Sequence, residues 1–235
     1  SDAVSDTDPT PVPCGESGPL AFTNAGCSFW AVDLHNAVAS TPAKYLDAQD
    51  APFAVVVANT VSETSALVTV TQPDGTADSA SIAPKALHVF LIPPTWGQTG
   101  PGITTTAVHI GSDVPVVAYQ FNPLDDVDVF SNDASVLLPV AQAGTLHLAV
   151  TLPHSALGGG NDFPGTLTIV GLADEPTEVT VTPTAPTAAG SGLPALSAGA
   201  SHTFTLTRGQ VANFEDTSGD LTGSDVTPLP TEHCG

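Results

Sequence analysis

Proline and glycine interrupt this chain so often that long helices cannot form. The 235 residues include 22 prolines and 21 glycines, so one of the two occurs about every five or six residues. Proline breaks helices, and both residues end short strands in turns. Valine and threonine, which strands favour, fill many of the intervals. The sequence therefore predicts an all-β protein, and its length suits one large β domain or two of ordinary size.

The chain has few charged residues, and most of them are acidic. Only 11% of residues are charged, and 24 acidic residues against three basic ones give a net charge of −21. No basic patch can form, so nucleic acid and anionic membranes are poor partners, whereas divalent cations and basic surfaces are better ones. No apolar run approaches the ~20 residues that span a membrane. Because the chain begins with Ser1 instead of Met, we expect a mature or trimmed product. Its acidic, lysine-poor surface suits a protein that is extracellular or at the cell surface.

Three cysteines, Cys14, Cys27 and Cys234, predict a disulfide in an oxidising compartment. A Cys14–Cys27 bridge would fix the N-terminal segment, whereas pairing either residue with Cys234 would join the two ends of the chain. The third cysteine would then be free or paired with another chain. No CxxC spacing occurs, which argues against zinc.

One oxygen-rich loop lies between two apolar runs. The strand predicted at Val114–Phe121 breaks at Asn122-Pro123, because a residue before proline is pushed out of the helical region. Calcium takes six to eight oxygen ligands, and we identify a candidate calcium site in this loop: Asp125, Asp126, Asp128, Asn132 and Asp133. The alternative is that these side chains satisfy backbone groups in turns, as Asn and Asp commonly do.

The strand pattern occurs twice in the same order. FAVVVAN, ALVTVTQPDGT, ASIAPKALHVFLIP and IGSDVPVVAYQFNP are followed by LTIVGLA, TEVTVTPTAP, PALSAGASHTFTL and TGSDVTPLP. We therefore predict an extended N-terminal arm at 1–19 and two tandem immunoglobulin-like β-sandwich units at 20–139 and 140–235. The second GSDV is followed by TPLPTEHCG instead of an apolar strand. An open sheet edge in the second unit is therefore expected, which must be covered by this chain or another.

Several motifs resemble the N-terminal domain family named after the IgG-Fc-binding mucus protein. These are CGESG, GCSFWAVDLHNA, APFAVVVANT, SDVPVVAYQFNPLDDVDVFSNDASVLLP and GDLTGSDVT, spanning residues 14 to 227. The resemblance implies a secreted, all-β, non-enzymatic surface or adhesion module. Members of that family continue past the second GSDV-like block with a PVAVFGGHEC-like strand, which differs from TPLPTEHCG here.

Two functions follow as expectations. The first is a secreted structural or adhesion protein, the subunit of an extracellular assembly or filament joined by β-strand exchange, with itself or a cell-surface or matrix component as partner. The alternative is a monomeric calcium- or glycan-binding surface module. The seven histidines form no HExxH, and no GxSxG occurs, so we expect no enzyme activity.

Overall fold

The computed structural model describes residues 14, 23–38, 48–60, 63–127, 129, 132–144, 146–158 and 161–229. These residues form sixteen β-strands and two single-turn 3-10 helices, at Pro94–Trp96 and Val140–Gln142, with no α-helix among them. The predicted all-β class is therefore confirmed. No helix in this described part is long and apolar enough to cross a membrane.

The N-terminal half forms one seven-stranded antiparallel sheet. Its strands are β1 (Ala25–Ala31), β2 (Phe53–Ala58), β3 (Ala66–Thr71), β4 (Ala77–Ile82), β5 (Leu87–Ile92), β7 (Val108–Phe121) and β8 (Ala134–Val136). The order is β4-β3-β7-β2-β5, and β1 and β8 also pair with β7.

Strand β7 runs through the whole of this sheet and links its two parts. Its first part, His109–Ser112, pairs with β3, and its last part, Val117–Phe121, pairs with β2. One long strand therefore bonds to two strands that do not bond to each other, which curls the sheet around its core. The strand ends at Phe121, as predicted, before the cis Asn122–Pro123 peptide bond.

The enclosed core of the first half is aromatic and β-branched. Phe29, Phe53 and Phe90 are at most 2% exposed, and they pack with Ile110 and Val116. In β3, every second residue is buried, and the residues between them are half-buried or exposed. This period of two is expected when one face of a strand packs against a core.

The second half is built from two facing sheets. The three-stranded sheet has the order β12-β15-β6, formed by β12 (Thr166–Val170), β15 (Val211–Glu215) and β6 (Gly102–Thr104). The four-stranded sheet has the order β14-β13-β16-β9, formed by β14 (His202–Leu206), β13 (Thr177–Thr182), β16 (Asp225–Pro228) and β9 (His147–Leu148). A second core, centred on Val181, Leu206 and Phe214, lies between them. A separate hairpin pairs β10 (Ser155–Gly158) with β11 (Asn161–Phe163).

The halves are joined by a strand that crosses between them. The sequence predicts one strand over Thr104–Ile110, but Gly102–Thr104 pairs with β15 of the second half and β7 begins only at Val108. Asn213 Nδ2 also donates to the Gly100 carbonyl at 2.9 Å. A Cβ on Gly190 would lie 1.9 Å from the Pro101 carbonyl oxygen, so this crossing requires glycine there.

A third apolar cluster fills the junction. Val32, Ala107 and Val211 are buried, and Trp30 and Val170 pack against them from either side. The predicted division at 139/140 stays a prediction, although the β6 crossing shows that the two halves share a sheet.

The N-terminal arm is fixed to the first sheet by a disulfide. Cys14 is bonded to Cys27 of β1, with 5.8 Å between their Cα atoms. This is one of the three pairings that the sequence left open. The other residues of the predicted arm at 1–19 and the third cysteine, Cys234, lie outside the described residues.

Candidate functional site

The two halves repeat one pattern of strand pairing. In the first half β1 pairs with β7, β3 with β4 and β7, and β2 with β5. In the second half β9 pairs with β16, β13 with β14 and β16, and β12 with β15. Strands with the same partners are equivalent in the two halves. By this criterion β1, β2, β3, β4, β5 and β7 correspond, in that order, to β9, β12, β13, β14, β15 and β16. Hydrogen-bonded neighbours thus support the internal repeat.

Two pairings of the first half have no counterpart, and the last part of β7 makes both of them, with β2 and with β8. In the second half, β16 ends at Pro228 and does not reach β12. Within the part of the chain that the structure describes, β12 pairs with β15 alone. One edge of β12 is therefore open where the equivalent edge of β2 carries a strand.

The backbone of β12 shows which of its groups face this open edge. The Gly171 amide donates to the Gln210 carbonyl at 2.8 Å, and the Asp216 amide donates to the Gly165 carbonyl at 3.0 Å. In an antiparallel pair, successive residues direct their amide and carbonyl to opposite sides. The backbone groups of Thr168 and Val170 therefore point away from β15, toward the open edge.

An apolar groove of about 620 Å³ lies along that edge. One wall is β12 with Leu167 and Ile169, and the opposite wall is the segment from Leu138 to Ala149. The floor consists of core residues of both sheets: Val179, Leu206 and Val226. Trp30 of the first half also lines the groove. The groove is thus a side of the second core that no described strand closes.

The exposure of β12 reflects this opening. All five of its residues are half-buried, whereas five of the six residues of β2 are buried. Apolar area removed from water contributes roughly 25 cal/mol per Å², so an extended apolar strand placed in the groove would gain burial on both walls and hydrogen bonds along β12.

A second cleft of about 580 Å³ lies between the two halves. Close to it are two histidine–carboxylate contacts: His35 Nδ1 lies 2.6 Å from Glu215 Oε1, and His154 Nδ1 lies 2.7 Å from Asp216 Oδ1. Glu215 also accepts a hydrogen bond from Asn213, and Asp216 from the Gly165 amide. The His35–Glu215 contact joins the loop after β1 to β15, and so joins the two halves.

Asp33 is a buried carboxyl in the first half. Its Oδ1 accepts a hydrogen bond from Asn122 Nδ2 at 3.1 Å, and its Oδ2 has no hydrogen-bond partner. Burial, and secondarily the nearby Asp50 carboxylate, raise the pKa of Asp33 to about 7.

The predicted calcium loop is held by its own hydrogen bonds where the structure describes it. Asp125 Oδ1 accepts from the Val127 amide at 3.2 Å, and Asn132 Nδ2 donates to the Leu124 carbonyl at 3.4 Å. The Asp133 carbonyl accepts from the Asn122 amide at 3.0 Å, Asp126 is exposed, and Asp128 lies outside the described residues. Among the described residues no group of three or more His, Cys, Asp or Glu is arranged to hold a metal ion. Calcium binding stays a prediction.

These features define an all-β protein of two strand-pairing repeats, the second of which is open along one edge. The family model described as IgGFc binding protein matches residues 133–231, the part that contains the groove. The family resemblance drawn from the sequence is confirmed over that segment, while the rest of the predicted span, residues 14–132, lies outside the match. Searches of curated proteins and of solved structures found no significant match.

Sequence reasoning located the open edge but not the groove. The apolar residues of the groove floor alternate with polar ones in β13 and β16, and that pattern alone predicts only a core face. Two further features were missed: the Trp30 wall and the His35–Glu215 contact, because the partners are far apart in sequence and meet only when the two halves pack.

Proposed function

We propose that this protein is a secreted structural or adhesion protein whose second half accepts a β-strand from another chain, so that copies join into an extracellular assembly. The observation that carries this proposal is the open edge of β12 beside an apolar groove. In strand addition, main-chain hydrogen bonds supply affinity and alternate side chains fill the groove.

Three other observations support the proposal. The Cys14–Cys27 disulfide suits an oxidising, extracellular environment. The segment that contains the groove matches a family of binding domains. The large net charge of −21 disfavours nonspecific clustering, so association must depend on a specific complementary surface.

The first half gives the chemical requirements for the incoming strand. Where β7 pairs with β2, Ala118 is fully buried in the core, as is Val116 just before the paired part. The donor must therefore be extended, apolar at alternate positions and free to bond along β12. The donor belongs to a copy of this chain or to a surface component with such a segment.

Blocking the open edge tests this function. Val170→Pro removes an amide that faces the open edge, where proline is tolerated in a strand. Ser81→Pro is the matched control, because Ser81 is exposed in the edge strand β4 of the other sheet. Light scattering and electron microscopy should show assemblies of the natural protein and of Ser81→Pro, and none of Val170→Pro. Equal assembly of all three proteins, or monomers in every case, would contradict the proposal.

A further inference from the structure

A second apolar surface runs along the β9 edge of the four-stranded sheet, where it borders the groove at Leu148 and the second cleft at Val150 and Leu152. Leu146, Leu148, Val150 and Leu152 occur at every second position of the edge segment that contains β9. They are 63%, 67%, 88% and 83% exposed, respectively. We call these four side chains the edge row.

The rest of the outer face of this sheet is polar. Directly paired residues share a face of a sheet, so Leu148, Asp225 and Thr182 lie in one line across β9, β16 and β13. Beyond them, Thr182 is hydrogen-bonded to Ser201 at 2.8 Å, and Thr180 to Thr203 at 2.8 Å. A solvent-facing sheet side normally carries polar residues. The edge row is the exception to this pattern on its own sheet.

The backbone of the edge segment is free to pair on its outer side. The Ala149 amide donates to the Ser224 carbonyl at 2.9 Å, its carbonyl accepts from Gly223 at 2.8 Å, and the Thr151 amide donates to Thr222 Oγ1 at 3.0 Å. Because the direction of backbone groups alternates, those of Leu148 and Val150 point away from β16. No described strand pairs with them on that side.

The segment is complementary to itself. If two copies pair antiparallel about a two-fold axis at Ala149, then Leu146 faces Leu152 of the second copy and Leu148 faces Val150. Each side chain of the edge row then contacts an apolar side chain of the other copy. This satisfies the requirement of a two-fold interface, in which both subunits contribute the same surface patch. An exposed, apolar, unpaired edge is also the feature that natural sheets avoid unless it has a partner.

Charge favours a second copy of this chain at the same place. No Asp, Glu, Lys or Arg occurs from residue 134 to residue 161, although the whole chain carries 24 acidic residues. Like charges directly opposed across strands are destabilising, and two copies with a charge of −21 repel each other least through a neutral surface. A basic partner would gain nothing from this neutral stretch.

We infer that two copies of this chain form a two-fold dimer by antiparallel pairing of residues 146–152, which buries the edge row. This contact shares Leu148 with the lining of the groove but does not involve strand β12, so it does not depend on the proposed function. With both contacts, an open-ended assembly would be built from dimers. A contact of this small size should have a Kd of roughly 1–100 μM.

Sedimentation equilibrium over that concentration range tests the dimer. Val150→Lys places a charge in the centre of the row, and Val150 does not line the groove. Thr205→Lys is the matched control, because Thr205 is exposed on β14 at the far edge of the same sheet. Measurements are made in the Val170→Pro background, or with the groove saturated by a synthetic peptide of residues 112–121, so that strand addition does not contribute.

The expected result is a monomer–dimer equilibrium for the background protein and for Thr205→Lys, with Val150→Lys weakening dimerisation at least tenfold. Circular dichroism establishes that each variant keeps its strand content. A protein that stays monomeric throughout, or a dimer that Val150→Lys leaves unchanged, would overturn the inference. Neither outcome alters strand uptake by the groove, which is read from peptide binding.

Discussion

The two halves of this molecule use the same strand pairings, but only the first half completes them. In the first, β2 lies between β5 and β7, and five of its six residues are buried. In the second, β12 pairs with β15 alone among the described strands, and all its residues are half-buried. The difference is a single stretch of chain, the last part of β7. One repeat thus has a core closed along this strand, while the same edge of its copy has no described strand beside it.

Truncation of equivalent core residues gives the largest contrast between the halves. Val68 of β3 and Val179 of β13 are both the third residue of their strands and pair with the equivalent strands β7 and β16, so the two occupy matching places. Val68→Ala should lower the free energy of unfolding by about 2–3 kcal/mol, because it leaves a cavity in an enclosed core. Val179→Ala removes the same two methyl groups but should cost only about 1 kcal/mol, because Val179 lines the open groove. Urea unfolding measures both, and equal losses would remove the contrast.

A pH series tests the enclosed carboxyl of the first half. The pKa of Asp33 is raised to about 7 in the folded protein, so folding favours its protonated form. This group therefore costs nothing at low pH, and its penalty grows as pH rises from about 4 to about 7. One pKa unit corresponds to about 1.4 kcal/mol, which gives a penalty of up to about 4 kcal/mol.

Asp33→Asn should remove that penalty. The difference in unfolding free energy between Asp33→Asn and the natural protein should move in favour of the variant between pH 4 and pH 7 and be constant above pH 8. Comparing the two proteins cancels the other acidic residues. A difference that does not vary with pH would show that Asp33 ionises normally in the fold.

The contact between the halves determines whether they unfold together. His35→Ala removes the 2.6 Å hydrogen bond to Glu215, and a hydrogen bond to a charged or buried group contributes about 1–3 kcal/mol. We expect the second, open half to unfold first in this variant, so that one transition in urea becomes two. His88→Ala is the control, since His88 is exposed on β5 and away from the junction. A single transition in both variants would indicate that the β6 crossing and the apolar cluster at the junction are enough to couple the halves.

The calcium hypothesis makes the smallest prediction. A site in the loop after β7 requires the melting temperature to rise by a few degrees in millimolar Ca²⁺ and to fall again with chelator. The Asp125→Asn/Asp126→Asn variant should lose that rise, whereas Asp78→Asn, on the exposed strand β4, should keep it. No response of the natural protein to Ca²⁺ would leave these side chains with their role in the turns.

Much of this architecture follows from local sequence. The runs at Phe53–Ala58 and Ala66–Thr71 predict β2 and β3, since β-branched residues and a period of two specify strands directly. The pairing of strands that are distant in sequence is harder to predict from the sequence. The repeated GSDV suggested equivalent positions, yet Val68 pairs with Ser112 while Val179 pairs with Pro228, so the two motifs are out of register by four residues.

Two local interpretations were wrong for physical reasons. The run of glycines in residues 153–165 predicts a loop there, but the segment contains the hairpin of β10 and β11, in which backbone bonds outweigh weak side-chain preference. The order of the repeated blocks predicts that HVFL of β5 corresponds to HTFTL of β14. The strand pairing shows instead that β14 is the equivalent of β4, because β14 pairs with β13 as β4 pairs with β3. Short strands share composition, and only the partner identifies the strand.

Peptide complementation of the groove tests the central claim most directly. A synthetic peptide of residues 112–121, the closing part of β7, is added to the natural protein, with a scrambled peptide of equal composition as the control. The account predicts a higher melting temperature with the native peptide alone and slowed hydrogen exchange of the Thr168 and Val170 amides. An unchanged melting temperature together with unchanged exchange along β12 would contradict it.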